Sequence, residues 1–242
     1  MPVRGITFDF WGTLFTEGPR FLSVVLPRRY EILLDATSEA GTPADEEAVR
    51  NAYQAASRAF RSAWQAGEVM NNYERVAYMF KVLGVPFDEG LVALTARRLE
   101  DAALEGNLAP LPGTREAIPE LAKVYPLGIV SDTGLTPGRV IRQLLKKDGF
   151  DRFFKAFAFS DEVGHLKPDP EIFQAALDKL GLTPEAALHV GDIPRTDVEG
   201  AFKAGYPYAV LYTGLTERPY QTNPTAVIKN HKELIPLLPR LG

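Results

Sequence analysis

Cysteine is absent from the whole 242-residue sequence. Its absence excludes a disulfide framework, a thiol nucleophile and a zinc site built from thiolates, and it is typical of proteins from a reducing compartment. The sequence also has no apolar run approaching the roughly 20 residues that span a bilayer, and its first residues lack the apolar region of a signal peptide. We therefore expect a cytoplasmic protein that does not interact with membranes.

Positive charge is not concentrated in any part of the sequence. Lys and Arg together number 27 against 31 Asp and Glu, which gives a formal net charge of −4, and there is no basic run. Because nucleic-acid binding depends on Lys and Arg that neutralise phosphates, we expect no nucleic-acid partner. Hydrophobic residues make up 45% of the chain, enough for a sizeable core at this length. The composition leaves the oligomeric state open.

Two kinds of hydrophobic pattern divide the chain. From residue 19 to about residue 108, apolar residues recur with the period of a helix, which predicts four helices. On both sides of this segment, short apolar runs alternate with helical stretches, the pattern of a parallel sheet with helices on its faces. We therefore predict an α/β fold. Its Rossmann-like parallel-sheet core comprises residues 1–16 and 109–242, and an all-helical domain of residues 17–108 is inserted into it.

The same patterns predict the bounds of individual elements. In the insertion we expect a first helix from residue 19 and further helices at 44–66, 73–83 and 88–104. In the core we expect helices at 114–123, 137–147, 171–180, 197–204 and 231–238. Beyond the strands that precede the polar motifs, we expect strands at 154–159, 208–211 and 226–228.

One aspartate stands at the end of the first apolar run. Asp9 follows residues 5–8 and precedes the turn residues Gly12 and Thr13. In open α/β sheets, ligands bind in the crevice beyond the carboxyl ends of the strands, so this position favours a catalytic role. The alternative is an ordinary strand-to-turn aspartate that accepts a hydrogen bond from a nearby backbone N–H.

Three further polar segments follow predicted strands or turns. Ser131-Asp132-Thr133-Gly134 comes after the apolar run 127–130, and its hydroxyls and backbone N–H groups can cradle anionic oxygens. Lys167 precedes two prolines that restrict the backbone, which favours a fixed position for its ammonium group. Asp192 and Asp197 follow the run 187–190 and can bind a hard cation through oxygen.

In this order, the four segments resemble the four motifs of the haloacid dehalogenase superfamily, and the resemblance spans nearly the whole chain. It implies a hydrolase in which Asp9 is the nucleophile and forms a covalent aspartyl intermediate, while Ser131 and Lys167 hold the transferring group. It further implies Mg²⁺ bound by Asp9, by the backbone carbonyl of Trp11 and by Asp192, with Asp197 as a direct or indirect partner. The implied contacts to a small phosphorylated substrate are Gly12, Thr13, Asp132 and Thr133.

The insertion corresponds, by the same resemblance, to a cap that closes over the nucleophile and selects the substrate. Residues 16–18 and 107–110 are then its two hinge segments. Closure of such a lid would exclude water from the intermediate.

Trp11 departs from the family pattern. Phosphatases of the superfamily usually carry a second aspartate two residues after the nucleophile, where it protonates the leaving oxygen and then activates water. An indole N–H donates a hydrogen bond but cannot perform this proton transfer. General acid–base catalysis contributes about 10²–10⁴ in rate, so its loss should cost roughly 3–5 kcal/mol of barrier. Asp132 is a candidate replacement, although turn preferences favour a structural role for it.

The aromatic side chain of Trp11 leaves two alternatives to a phosphohydrolase open. Haloacid dehalogenases of the superfamily commonly have tyrosine there, use no metal and receive the halide with a cap arginine; Arg20, Arg28 and Arg29 lie in the inserted segment. The other alternative is a weakly active or non-catalytic protein that keeps the fold and binds a partner or metabolite. The retained carboxylates of Asp192 and Asp197 favour a metal-dependent phosphohydrolase that acts on a small phosphorylated metabolite through an aspartyl-phosphate.

His165 and His189 lie beside two of these motifs. Histidine serves in acid–base catalysis and metal binding, but a lone histidine near a strand end is more often structural. We therefore interpret both as structural residues.

Overall fold

A computed structural model describes residues 2–241, which divide into two compact units. The first unit comprises residues 2–17, 108–133 and 142–241, and the second comprises residues 18–107 and 134–141. The sequence patterns assigned residues 134–141 to the sheet domain, whereas their contacts lie with the helical unit.

The first unit is built on a six-stranded sheet with the strand order β5-β4-β1-β6-β7-β8, in which every pair is parallel. Two further short strands, β2 and β3, form a separate antiparallel ribbon near residues 16 and 109. The eight strands, in chain order, are β1 Gly5–Phe8, β2 Phe15–Thr16, β3 Ala109–Pro110, β4 Leu127–Ser131, β5 Phe154–Phe159, β6 Ala187–Gly191, β7 Tyr208–Tyr212 and β8 Ala226–Ile228.

The central strands β1, β4 and β6 are buried along their full length. Continuous apolar runs without alternation are what a parallel sheet covered on both faces requires. Phe8, the last residue of β1, pairs with Ile129 of β4 and Val190 of β6. This register brings the carboxyl ends of the three strands to one edge of the sheet, where the polar motifs follow.

The described residues also form ten α-helices. The second unit holds α1 Pro19–Glu39, α2 Glu46–Ala66, α3 Asn72–Leu83 and α4 Glu89–Asp101, and α4 continues as a 3-10 turn over Ala102–Glu105. The other six are α5 Thr114–Ala122, α6 Gly138–Lys147, α7 Ser160–Val163, α8 Pro170–Leu180, α9 Glu199–Lys203 and α10 Leu234–Leu237. The predicted fold class is confirmed: a parallel sheet is flanked by helices, and the insertion contains four helices.

Side-chain caps set the starts of three helices in the second unit. Asp45 accepts a hydrogen bond from the backbone N–H of Ala48, Asn71 forms a reciprocal capping box with Glu74, and Asp88 accepts from the N–H of Leu91. Such caps satisfy the otherwise unpaired N–H groups of the first turn. The cap at Asp45 explains why α2 begins at Glu46, two residues after the predicted start at residue 44.

Two predicted helices are broken into shorter pieces. The predicted helix 197–204 is a π-helical turn over Pro194–Val198 followed by α9. The predicted helix 231–238 is a 3-10 turn over His231–Glu233, then α10, then a second 3-10 turn over Leu238–Arg240. Pro236 and Pro239 explain why the predicted helix 231–238 is interrupted, because proline lacks the N–H that a regular helix needs.

Arg29 is buried inside the second unit instead of lying on a solvated helix face. Its Nε donates to the carbonyl of Leu99 at 3.0 Å, and one terminal nitrogen donates to the carbonyl of Leu135 at 2.9 Å. The latter contact fastens the segment 134–141 to α1 within this unit. Arg28, in contrast, is exposed and pairs with Glu31 and Glu105.

None of the helices in residues 2–241 combines the length and apolar character that crossing a bilayer requires.

Candidate active site

Asp9 lies at the carboxyl end of β1 and receives hydrogen bonds from residues that are far away in sequence. Ser131 donates its hydroxyl to Asp9 Oδ1 at 2.9 Å, and Lys167 donates its ammonium to the same oxygen at 2.7 Å. Thr13 makes a longer contact of 3.3 Å to Oδ2. Asp9 and Lys167 are only 5% and 4% exposed. The first three predicted motifs therefore meet at one buried carboxylate.

Lys167 connects Asp9 to the fourth motif. Its ammonium also donates to Asp197 Oδ1 at 2.6 Å. The backbone N–H of Lys167 donates to Asp132 Oδ1 at 2.9 Å, so Asp132 holds the lysine loop in place. Burial alone would lower the pKa of Lys167, but Asp197, Asp9 and Asp132 together raise it above its ordinary value. The lysine is thus a fixed positive charge between two carboxylates.

Asp197 is held from more than one side. The backbone N–H of Ile193 donates to its Oδ2 at 2.8 Å, and the imidazole of His189 lies 3.5 Å from its Oδ1. Burial works to raise the pKa of Asp197, but Lys167 and the contact with His189 hold it well below its usual range. Asp197 is therefore ionised, and Lys167 neutralises part of its charge.

The carboxylates of Asp9, Asp192 and Asp197 converge, with one oxygen from each lying within 4.8 Å of the others. Asp192 Oδ1 is buried and has no hydrogen-bond partner among residues 2–241. Arg218 approaches its other oxygen only at 3.5 Å. Burial, together with the charges of Asp9 and Asp197, raises the pKa of Asp192 to about 7. Burial also raises the pKa of Asp9, and Lys167 opposes that shift.

These three carboxylates fit a hard divalent cation. When ionised they carry three negative charges against the single charge of Lys167, and Asp192 Oδ1 offers an unused lone pair inside the protein. Magnesium prefers oxygen ligands of this type, and a buried ionised carboxylate without a partner is costly. The side chains of Asp9, Asp192 and Asp197 thus suit such an ion.

Two glycines allow the carboxylates to approach the backbone this closely. Gly12 has a φ of +81°, a conformation that favours glycine, and a β-carbon there would lie 2.8 Å from Asp192 Oδ2. A β-carbon on Gly191 would lie 2.2 Å from the carboxyl carbon of Asp197. Neither position can accept a side chain without displacing a carboxylate of the cluster.

Thr133, which follows β4, is held by the first two residues of α7. Its hydroxyl donates to Asp161 Oδ1 at 2.8 Å, and its N–H donates to the hydroxyl of Ser160 at 2.9 Å. The sequence patterns gave no signal for Ser160 and Asp161, which follow β5 directly. Trp11 is partly buried, and its indole packs edge-on against Phe10 at 4.7 Å between ring centroids.

A model of haloacid dehalogenase-like hydrolases matches residues 3–205 of the chain. A glyceraldehyde 3-phosphate phosphatase of Methanothermobacter thermautotrophicus is 36% identical over 113 residues, which are 46% of this chain and 48% of that protein. The pyrophosphatase PpaX of Bacillus cereus is 35% identical over 126 residues, 51% of this chain and 56% of that protein. The alignments thus cover about half the length of these relatives.

Among solved structures, a 2-haloacid dehalogenase from Pseudomonas syringae pv. tomato has a TM-score of 0.73 at 23% identity, and the match covers 98% of this chain and 99% of that one. At this identity the likeness concerns the fold. The family match covers residues 3–205 and so includes both the first and the last motif, and it decides the family of this chain. The chain belongs to the haloacid dehalogenase-like hydrolases.

Proposed function

We propose that this chain is a metal-dependent phosphohydrolase in which Asp9 is the nucleophile and the substrate is a small phosphorylated metabolite. The observation that carries the proposal is the convergence of Ser131, Lys167 and the two carboxylates Asp192 and Asp197 on Asp9. The names of the two curated relatives, both phosphate-releasing enzymes, support the same chemistry.

In the first step an oxygen of Asp9 attacks the phosphorus, and the bond from phosphorus to the leaving oxygen breaks with its electron pair. The acyl phosphate on Asp9 is then hydrolysed by water, which releases inorganic phosphate and restores the carboxylate. Ser131 and Lys167 donate hydrogen bonds to Asp9, and in our proposal they bind the oxygens of the transferring group. Fixed donors of this kind stabilise charge that develops in the transition state.

A divalent cation would be held by Asp9 and Asp192, with Asp197 beside them and with the backbone carbonyl of Trp11 as the further ligand that the family pattern implies. When bound, it supplies positive charge that offsets repulsion between the nucleophilic carboxylate and the phosphate dianion. Lys167 supplies a second positive charge, and its contacts with Asp9 and Asp197 fix where that charge lies.

Trp11 determines which phosphorylated substrates suit the site. Without a carboxylic acid at this position, the leaving oxygen departs without a protein proton donor. Asp132 does not replace the acid in our proposal, because its carboxylate accepts the backbone N–H of Lys167. We therefore expect good leaving groups, such as acyl phosphates, phosphoanhydrides and aryl phosphates, to react faster than alkyl phosphates by about 10²-fold or more.

The metal-free dehalogenase is the second candidate, and the aromatic Trp11 is the observation that favours it. Halide leaves without a proton, so the missing acid has no cost in that reaction. Against it, Arg29 uses its guanidinium to bind carbonyls of its own unit, and Arg28 pairs with glutamates. Asp192 and Asp197, which converge on Asp9, would also have no cation to hold in a reaction without metal.

The test is phosphate release from p-nitrophenyl phosphate and acetyl phosphate by the native chain and by Asp9→Asn, with Mg²⁺ or with EDTA. Asp35→Asn, on the exposed face of α1, makes the same charge change outside the sheet unit and is the control. We expect release that needs Mg²⁺, disappears in Asp9→Asn and persists in Asp35→Asn. Release of halide from 2-haloacids in EDTA, with no phosphate release in Mg²⁺, would instead establish the dehalogenase.

A further inference from the structure

A half-exposed arginine lies beside the buried carboxylate cluster. One terminal nitrogen of Arg218 lies 3.5 Å from Asp192 Oδ2, and the two side chains are 42% and 4% exposed. A β-carbon on Gly12, in the turn that follows Asp9, would lie 2.8 Å from the same oxygen. The guanidinium and the turn of the nucleophile therefore lie against one oxygen of Asp192, and Arg218 is at the border between the cluster and solvent.

The sheet places Arg218 on the same edge as the nucleophile. The residue lies in the segment between β7 and β8, and β7 pairs with β6, the strand that leads into the last motif. The backbone N–H of Thr213 donates to the carbonyl of Ile228 at 2.8 Å. Farther along the segment, Glu217 accepts from the ammonium of Lys229 at 2.6 Å. The backbone just before Arg218 is thus tied to the end of β8.

The contact with Asp192 leaves most of the guanidinium available. A charge-assisted hydrogen bond between nitrogen and a carboxylate is about 2.7–2.9 Å long, and a bidentate arginine pair has two of them. With Asp192, Arg218 makes one contact, and it is 3.5 Å long. The adjacent carboxylate, Glu217, pairs with Lys229 instead. Because a guanidinium has five N–H donors, those of Arg218 that face solvent can bind an anionic group from outside.

The lysine of the site is not accessible to the outer part of a substrate. Lys167 is 4% exposed, and its ammonium lies 2.7 Å from an oxygen of Asp9 and 2.6 Å from one of Asp197. Asp9 is also buried, so a substrate with its phosphoryl group at Asp9 must extend the rest of its structure towards solvent. A negative charge on that outer part would meet Arg218 before it could reach the lysine.

We infer that Arg218 is a specificity-determining residue that binds a second anionic group, a carboxylate or a phosphate, on the leaving part of the substrate. The inference rests on the proposed function, because it takes the first anionic group to be the phosphoryl group at Asp9. It narrows the substrate to a metabolite with a second negative charge, such as a phosphoanhydride or a phosphorylated carboxylic acid. The planar fork of arginine matches either group with two parallel hydrogen bonds.

Analogues that cannot release phosphate test this preference by binding alone. Phosphonoacetate carries a carboxylate beside its phosphonate, methylenediphosphonate carries a second phosphonate, and 2-oxopropylphosphonate has a neutral methyl ketone in the same place. In calorimetric titrations with excess Mg²⁺, we expect the native chain to bind at least one of the first two about 10-fold or more tightly than the ketone. The tighter of the two identifies the second group as carboxylate or phosphate.

The variants are Arg218→Gln, which removes the charge, and Arg218→Lys, which keeps the charge without the fork. Arg4→Gln is the matched control, because Arg4 is exposed and precedes β1, at the opposite edge of the sheet. We expect Arg218→Gln to lose about 10-fold or more in affinity for the preferred anionic analogue, with little change for the ketone. Arg218→Lys should lie between Arg218→Gln and the native chain, and Arg4→Gln should match the native chain. Affinity for Mg²⁺ alone should not fall in Arg218→Gln, which removes a positive charge near the cation-binding carboxylates.

Two results would overturn the inference. One is a native chain that binds the three analogues equally or binds none of them. The other is an Arg218→Gln variant that loses affinity for all three alike, or that loses affinity for Mg²⁺, since Arg218 would then support the carboxylate cluster and not the substrate. These titrations need no turnover, so a native chain that prefers an anionic analogue but releases no phosphate would refute the hydrolase proposal alone.

Discussion

Replacing Asp192 with asparagine should stabilise the metal-free protein and at the same time abolish its stabilisation by Mg²⁺. Asp192 is 3% exposed, lies beside Asp9 and Asp197, and has one oxygen without a hydrogen-bond partner in residues 2–241. Its charge is therefore costly until a cation arrives. Asparagine keeps the shape of the side chain, removes the charge and adds an N–H₂ group that can donate to a neighbouring carboxylate.

The magnitude follows from the pKa of Asp192, which the fold raises from 3.8 to about 7. A raised pKa means that the folded protein binds the proton more tightly than the unfolded chain does, so stability falls as the pH rises through this window. Above about pH 7 the full difference of about 3 pKa units corresponds to roughly 4 kcal/mol. Local rearrangement of the native protein recovers part of this cost, so we expect Asp192→Asn to gain about 2–4 kcal/mol.

The assay is urea unfolding near pH 8 in EDTA and in Mg²⁺, with Asp35→Asn as the control for an exposed charge. Mg²⁺ at about 100 times its dissociation constant should add about 2.7 kcal/mol to the native chain and to the control, and much less to Asp192→Asn. A variant that is less stable than the native chain in EDTA would refute the charge argument. Equal stabilisation of both chains by Mg²⁺ would show that Asp192 is not a ligand.

Three further predictions concern Trp11, His231 and Arg29. Trp11→Asp should raise kcat on alkyl phosphates by about 10²-fold and kcat on p-nitrophenyl phosphate by much less, because only poor leaving groups need the acid. The control Trp11→Asn should raise neither value. Equal gains on both substrates would count against a missing acid. Burial lowers the pKa of His231 from 6.5 to about 4, so the unfolded chain takes up this proton before the folded protein does as the pH falls. The free energy of unfolding should therefore decrease by about 3 kcal/mol as the pH falls from about 6.5 to about 4. Urea unfolding of the native chain over this pH range should show the decrease, and His231→Gln should lack it. Arg29→Met should lower the free energy of unfolding by about 3 kcal/mol, because two buried carbonyls lose their donor. Arg28 is exposed, so the control Arg28→Met should lower it by less than about 1 kcal/mol in the same urea experiment.

The sequence alone determined most of the architecture, because its local signals are strong. Continuous apolar runs before Asp9, Ser131 and Asp192 predict parallel strands, and the carboxyl ends of such strands share one edge of the sheet. Helical periodicity predicted the four inserted helices to within a few residues. The order of the polar motifs was sufficient to indicate the family to which the chain belongs.

Tertiary structure alone decided which other side chains support these residues. Thr7 and His189 are 182 positions apart, and they meet only because β1 and β6 pair in one register; a shift by one residue would turn either side chain to the opposite face of the sheet. Arg29 reaches the carbonyl of Leu135, a residue 106 positions away, so its burial has no local signal. Strand and helix formation depends on neighbouring residues, whereas the partners of a buried polar group depend on how distant segments pack.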